Sequence, residues 1–353
     1  MKQLYFLGPG RVEWREVPAP KLQSEHDAIV RPVAASTCDL DVMLIRGSAP
    51  FAGPFPLGHE CVAEVVEFGP GATGLYRGQK VIVPWHVSCG SCDRCRNDMP
   101  NACRSYPKGA MYGMNIGGDF GSMFSDLLRV PHAANVLVPL PPGVDPVDAA
   151  SAGDNLTFGY ELTVPHLVRH PGAPVLVMGG CGSIPLYAVA YAVAGGASRV
   201  DYVDTDRRRL EIAGRLGAHV IEGPPPKKLG PYPIAVDGGV GEATLRCALR
   251  SLEPEGICAC VGTHFKDVTI PLLQMYANGT NLYTGRGRGL PFIRRALDFV
   301  ASGRVQPQRV RTEVVPFDEA DRALAEPSMK PVFVRLAAQQ GAPADVPASR
   351  APG

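Results

Sequence analysis

No run in this chain is apolar for long enough to cross a membrane as a helix, and neither sign of charge dominates. Thirty-five Lys and Arg stand against thirty-four Asp and Glu, for a net charge of +1 and a pI of about 7.6. That balance excludes an extended nucleic-acid or anionic-membrane surface. The one basic cluster, Arg286, Arg288, Arg294 and Arg295, reads as a solvated loop and helix face. No secretory signal pattern is present either. The ten cysteines therefore read as thiols and metal ligands in a reducing, cytoplasmic setting, not as a disulfide framework.

What the chain does have is length and turns. At 353 residues and 45% hydrophobic content it is globular and longer than one core usually serves, so two domains are expected. Forty glycines and thirty-five prolines imply many turns. Up to about residue 150, short apolar strands at 12–17, 28–34, 61–68 and 78–83 alternate with Pro and Gly turns, an antiparallel, barrel-like organisation. Residues 38–47 read as one or two helical turns closed by Gly47, and 145–152 as the start of a helix.

Within that first region, Gly58-His59-Glu60 sets an imidazole beside a carboxylate. Imidazole is the commonest protein metal ligand, and an adjacent carboxylate can ligate or orient it. A zinc used in catalysis takes three protein ligands and one open position, and Cys38 and Asp154 are the candidates to complete a set with His59. Asp154 has a second reading, in which the Asp154-Asn155 pair caps the next helix.

Cys89, Cys92, Cys95 and Cys103 follow at C-x2-C-x2-C-x7-C spacing. Four thiols in one loop can surround a tetrahedral ion and leave no open position, which describes a structural zinc. An iron–sulfur run begins with the same spacing, but its fourth cysteine comes sooner and precedes proline.

The character of the chain changes at about residue 171. An apolar strand at 175–178 runs into Gly179-Gly180-Cys181-Gly182-Ser183-Ile184-Pro185, then a small-residue helix, then a strand ending at Asp204. This is the βαβ unit that binds a dinucleotide: Gly180 and Gly182 let the backbone approach a pyrophosphate, and the helix that opens at Ser183 and Ile184 stabilises its charge. Asp204 stands where a ribose-binding carboxylate belongs. It would repel the extra phosphate of NADP, so NAD is expected, although Arg208 and its neighbours Arg207 and Arg209 lie close by. Further strand and helix segments follow: a strand at 234–237, a helix from 242, a strand at 256–262 and a helix at 291–302. They extend a doubly wound parallel sheet, and strands at 310–315 and 332–336 return to the first domain. Residues 337–353 read as a disordered tail.

Taken together, Cys38, Gly58-His59-Glu60, the four-cysteine lobe and the glycine-rich turn resemble the zinc-dependent medium-chain alcohol dehydrogenase family over roughly residues 1–336. The resemblance implies an α/β protein with two parts. A GroES-like catalytic domain takes 1–153 and 306–336, and a Rossmann NAD-binding domain takes 154–305, with the active site in the cleft between them. It implies one catalytic zinc on Cys38, His59 and Asp154, with Glu60 exchanging onto or supporting it, and one structural zinc. It also implies a pocket lined by Trp85 and His86, with Phe55 and Leu57 close to it, a small-molecule alcohol or carbonyl substrate, and a homodimer or homotetramer.

Two positions depart from the family pattern. Leu40 and Met43 stand where alcohol-active members carry hydroxyl and imidazole groups that relay a proton, and neither side chain can do so. Asp39, His86 or a metal-bound water are the candidate substitutes; Ala63, where the family prefers glycine, is a lesser change. The missing relay motivates an alternative, a reductase of conjugated carbonyls or iminium ions. A nucleotide-binding structural or regulatory protein without turnover is the alternative of another class.

Overall fold

Six parallel strands form the nucleotide-side sheet. Their order is His219–Glu222, Val200–Asp204, Val175–Met178, Tyr232–Asp237, Leu252–Cys260, Asn281–Thr284. The computed structural model describes residues 1–262 and 264–335. The expected tail at 337–353 lies outside these residues, as does Leu336 at the end of the expected strand 332–336. Val175–Met178 is buried at every position, as a strand covered by helices on both faces must be. The winding direction reverses between Val175–Met178 and Tyr232–Asp237. A reversal of that kind opens a crevice at the carboxyl ends of the two strands.

The other half is mostly antiparallel. Glu313–Pro316, Pro331–Val334, Ala28–Ser36, Glu60–Phe68, Lys80–Val83 and Val138–Pro139 lie side by side, with Leu128–Val130 also paired to Ala28–Ser36. A small sheet of Arg11–Glu16, Lys2–Gly8 and Phe55–Pro56 sits beside it. Its core is built around Phe6, Leu57, Phe124 and Phe333, all buried.

Register carries the site. Ser36 pairs with Glu60, so the residues just beyond these two strand ends, Cys38 and His59, arrive side by side. Val332 pairs with Ser36 from the other edge and brings Lys330 to the same corner. At Gly58 the backbone is left-handed (φ 97°) and a Cβ would run into the Phe124 ring, so only glycine delivers His59 along this path.

The expected helix at 145–152 is instead a series of turns, and regular helix begins only at Asn155–Glu161 beyond it. The reason is a close approach. The Gly153 carbonyl accepts from the Trp85 N–H at 3.2 Å, and a Cβ at Gly153 would strike the Val83 carbonyl. That contact draws the chain out of helical geometry and presents Asp154 to the cleft.

Candidate metal and coenzyme site

Cys38, His59 and Asp154 converge, each buried, with one ligand atom apiece lying within 4.8 Å of the others. His59 Nε2 lies 3.4 Å from Asp154 Oδ2, and its Nδ1 lies 3.7 Å from Asp41 Oδ1. Asp41 is fully buried, and its other oxygen accepts the Cys38 N–H at 2.9 Å. One carboxylate thus bonds the Cys38 backbone and faces the His59 ring as a charge, without a hydrogen bond to it. Glu60 is buried beside them but turned away: Oε2 accepts from Lys330 Nζ at 2.6 Å and Oε1 from the Asn155 N–H at 2.8 Å. Lys330 is itself fully buried and also donates to the Thr37 carbonyl.

The electrostatics ask for a cation. Burial alone would push the His59 imidazole down, but Asp41, Asp154 and Glu60 outweigh it and hold it up at about 9. Burial, then Asp154, pushes the Cys38 thiol well up. Burial would raise Asp154 too, yet hydrogen bonds from His59 and Cys38 lower it overall. Three buried carboxylates and a thiol crowd one imidazole, with Lys330 tied to Glu60. Buried charges in such a group are paired or coordinate metals. A thiol, an imidazole and a carboxylate from distant segments match the donor types of a three-ligand zinc set, so the donors fit that ion.

The lobe fits by a different geometry. Around it the sulfur separations are 3.6 Å (Cys89–Cys103), 3.6 Å (Cys92–Cys95), 3.9 Å (Cys92–Cys103) and 4.0 Å (Cys89–Cys95). Four sulfurs at about 2.3 Å from a central zinc in a tetrahedron stand about 3.8 Å apart. The thiols already mark out that tetrahedron, and none forms a disulfide.

At the sheet reversal, Gly179-Gly180-Cys181-Gly182 turns the chain from Val175–Met178 into the helix Ser183–Ala194. Gly182 has φ 143°, and a Cβ there would meet the Asp39 carboxylate at 2.8 Å. That carboxylate covers the helix start: its oxygens accept from Ser183 N (2.8 Å), Ser183 Oγ (2.8 Å), Ile184 N (3.0 Å) and Asn155 Nδ2 (3.1 Å), with Cys181 Sγ at 3.6 Å. Asp204 ends Val200–Asp204 as expected, but its carboxylate is occupied. Tyr202 Oη donates to it at 2.7 Å, and Arg209 grips it in a fork at 2.7 and 2.8 Å. Arg208 is exposed on the helix Arg207–Arg215, so the arginine at Asp204 is Arg209.

A cleft of about 340 Å³ joins these parts. Cys38, His59 and Asp154 lie on one wall, Leu40, Met43, Trp85, Met111 and Phe158 add apolar surface, and Ile184, Cys260 and His264 form the nucleotide side. A second cavity of about 470 Å³ adjoins it past Cys181 and His264 and reaches Gly180. Trp85 faces the cleft, with the Arg286 guanidinium 4.2 Å from its ring centre. The expectation that His86 lines the pocket is corrected. Its ring packs edge-on against Trp85, Nε2 meets the Arg288 carbonyl at 2.9 Å, and burial lowers its pKa to about 4. Phe55 and Leu57 are buried in the antiparallel core.

Sequence reasoning missed Asp41, Lys330 and Asn155, none of which carries a motif. Asp237, Cys260 and His264 form a second Cys/His/Asp group whose ligand atoms fall within 4.8 Å. There the Cys260 thiol lies 3.4 Å from Asp237 Oδ2, with His264 Nε2 3.7 Å from the same oxygen.

Residues 24–142 match the model of the alcohol dehydrogenase GroES-like domain. A probable zinc-binding alcohol dehydrogenase of Mycobacterium tuberculosis is 28% identical over 332 residues, covering 92% of this chain and 85% of that protein. The alcohol dehydrogenase of Cupriavidus necator is also 28% identical, over 331 residues, 86% of this chain and 89% of its own. Among solved structures, the alcohol dehydrogenase of Thermus sp. ATN1 superposes with a TM-score of 0.83 at 31% identity, covering 95% of this chain and 100% of that one. With the thiol, imidazole and carboxylate gathered at the mouth of a dinucleotide fold, the chain belongs to the zinc-dependent medium-chain alcohol dehydrogenase family.

Proposed function

We propose that Cys38, His59 and Asp154 hold a catalytic zinc, that Cys89, Cys92, Cys95 and Cys103 hold a structural one, and that the cleft takes NAD in preference to NADP. The chain is a zinc-dependent oxidoreductase that moves hydride between an alcohol and its aldehyde or ketone, using a nicotinamide cofactor. The observation that carries the site assignment is the meeting of Cys38, His59 and Asp154 on an apolar-walled cleft at the sheet reversal. When bound, the zinc supplies a Lewis acid for the substrate oxygen, and the nicotinamide supplies the hydride acceptor or donor.

The chain's own residues do the rest. Asp41 orients the imidazole of His59 and the backbone of Cys38. Lys330 and Asn155 hold the buried Glu60 carboxyl in place behind the donors, in a supporting role. Leu40, Met43, Met111, Phe158 and Trp85 exclude bulk water and favour a small, uncharged alcohol. Neither Leu40 nor Met43 can accept or pass a proton, and His86 is held behind Trp85, so proton release follows a route other than these three residues.

The preference for NAD rests on Asp204 and its surroundings. Its carboxylate is held ionised against the effect of burial by Arg209, and Arg209 in turn is occupied by that pair. Arg207 pairs with Glu222 at 3.0 Å. A 2′-phosphate would therefore meet a carboxylate, with two of the neighbouring guanidiniums already engaged.

Residues 1–153 with 306–336 form the catalytic domain of this reading, and 154–305 the nucleotide domain. Leu272, Leu273 and Tyr276 are exposed on the helix Leu272–Asn278, beside the outermost strand Asn281–Thr284, which supports pairing of two copies along that edge. Ten free thiols support a reducing, cytoplasmic setting; no described helix is long and apolar enough to cross a membrane.

The test is NAD and NADP reduction with a panel of small alcohols, together with zinc analysis. Two zincs per chain and faster turnover with NAD are expected. Alcohol turnover that persists unchanged in Cys38→Ser or His59→Ala would refute the site assignment.

A further inference from the structure

We infer that Asp39 is a built-in stand-in for the coenzyme pyrophosphate, and that its displacement sets how tightly this protein binds a dinucleotide. The inference rests on the nicotinamide reading above and concerns the same cleft. The start of a helix that follows a glycine-rich turn binds phosphate through its unpaired N–H groups and its positive dipole end. Here those groups are already paired. The N–H of Ser183 and the N–H of Ile184 donate to the two oxygens of one carboxylate, and the Ser183 hydroxyl joins them at 2.8 Å. Asn155 Nδ2 adds a fourth donor, and it also bonds Ser183 Oγ at 2.9 Å.

Three features make this more than a surface cap. Asp39 is 3% exposed, so water takes little part in holding it. The hydrogen bonds are charge-assisted, the stronger kind. The contact also crosses the molecule: Asp39 opens the helix Asp39–Ile45, which leaves the antiparallel sheet, while Ser183 opens the first helix of the parallel sheet. The carboxylate therefore latches the two halves together at the point where a coenzyme would bridge them. Gly182, whose missing Cβ makes room for this carboxylate, gives a phosphate oxygen the same room.

A carboxylate and a phosphate cannot share these N–H groups, and their like charges repel. The site then exists in two states, latched by Asp39 or open to a dinucleotide. The apparent dissociation constant is the intrinsic one divided by the open fraction. Lys330 lies within electrostatic reach of Asp39, but its ammonium is held by Glu60 and the Thr37 carbonyl.

The experiment is a fluorescence titration of NADH and NADPH into the zinc-loaded wild-type protein and the Asp39→Ala and Asp39→Asn variants, with thermal melting of each protein alone and with inorganic pyrophosphate. Removing the latch should tighten NADH binding by roughly tenfold or more in Asp39→Ala. A smaller gain is expected in Asp39→Asn, which keeps the shape and loses the charge. The free Asp39→Ala protein should melt lower than wild type, yet pyrophosphate should raise its melting temperature and leave wild type unmoved. A merely structural residue would move both readouts the same way, towards weaker folding and weaker binding. NADH binding that is unchanged or weaker in both variants overturns the inference and leaves the coenzyme assignment standing. Failure of all three proteins to bind either coenzyme overturns the coenzyme assignment itself, and this inference with it.

Discussion

The four-cysteine lobe and the Cys38–His59–Asp154 group gather candidate metal ligands in opposite ways. In the lobe, four ligands come from one short loop, the sulfurs outline a tetrahedron, and hydrogen bonds within the loop, such as Ser91 N to Cys89 Sγ at 3.5 Å, steady the thiols. The cleft group draws three candidate ligands from positions 38, 59 and 154, placed by contacts elsewhere in the fold: Asp41 beside both Cys38 and His59, and the Gly153 contact before Asp154. A local site is closed and needs little support from the fold. A converged site leaves one side open to substrate, and the fold must supply the bracing the loop provides elsewhere.

The comparison breaks first at the cleft ligands. His59→Ala or Cys38→Ser should cut kcat/KM by about a thousandfold or more, since several kcal/mol of charge stabilisation go with the site. Zinc analysis should then find one ion per chain, still in the lobe. Loss of both would show that the two sites are not independent. Next comes Lys330→Met, which strands the buried Glu60. Denaturant unfolding should show a loss of about 3–5 kcal/mol, and the double variant with Glu60→Gln should recover part of it. An unchanged unfolding midpoint would mean the pair is not holding this corner.

Asp41→Asn tests the bracing directly. It should weaken zinc affinity or activity about 10–100-fold, measured by competition with a chelator, without touching the lobe. The smallest effect on catalysis belongs to the lobe itself. Cys92→Ser should release the lobe zinc and lower the melting temperature by roughly 5 °C, while turnover per folded molecule stays close to wild type. A collapse of turnover in that variant would blur the distinction between the two regions.

Which parts were readable in advance follows the same division. The lobe is a spacing pattern, and the glycine turn between two apolar strands is another; both survive as one-dimensional signals. Cys38, His59 and Asp154 were readable only as a set matched to a family. Lys330 carries no local signal at all, because the pairing of Val332 with Ser36 is what brings it to Glu60. Arg208 and Arg209 are indistinguishable as letters. The helix beginning after Asp206 turns Arg209 back toward Asp204 and leaves Arg208 in water. Trp85 and His86 divide in the same way: their rings pack edge-on, but Trp85 lines the cleft while His86 Nε2 is turned to the Arg288 carbonyl.

By itself, then, the order of residues determined the two-part α/β architecture, the four-thiol lobe and the dinucleotide turn, because each is written in spacing over a few tens of residues. Only the tertiary structure decided that Asp41 faces the imidazole, that Lys330 pairs with Glu60, and that Asp39 fills the cradle at Ser183 and Ile184. Those are pairings between strands and helices distant in the chain. Burial is what gives each charge its partner, and burial exists only once the two sheets have closed on each other.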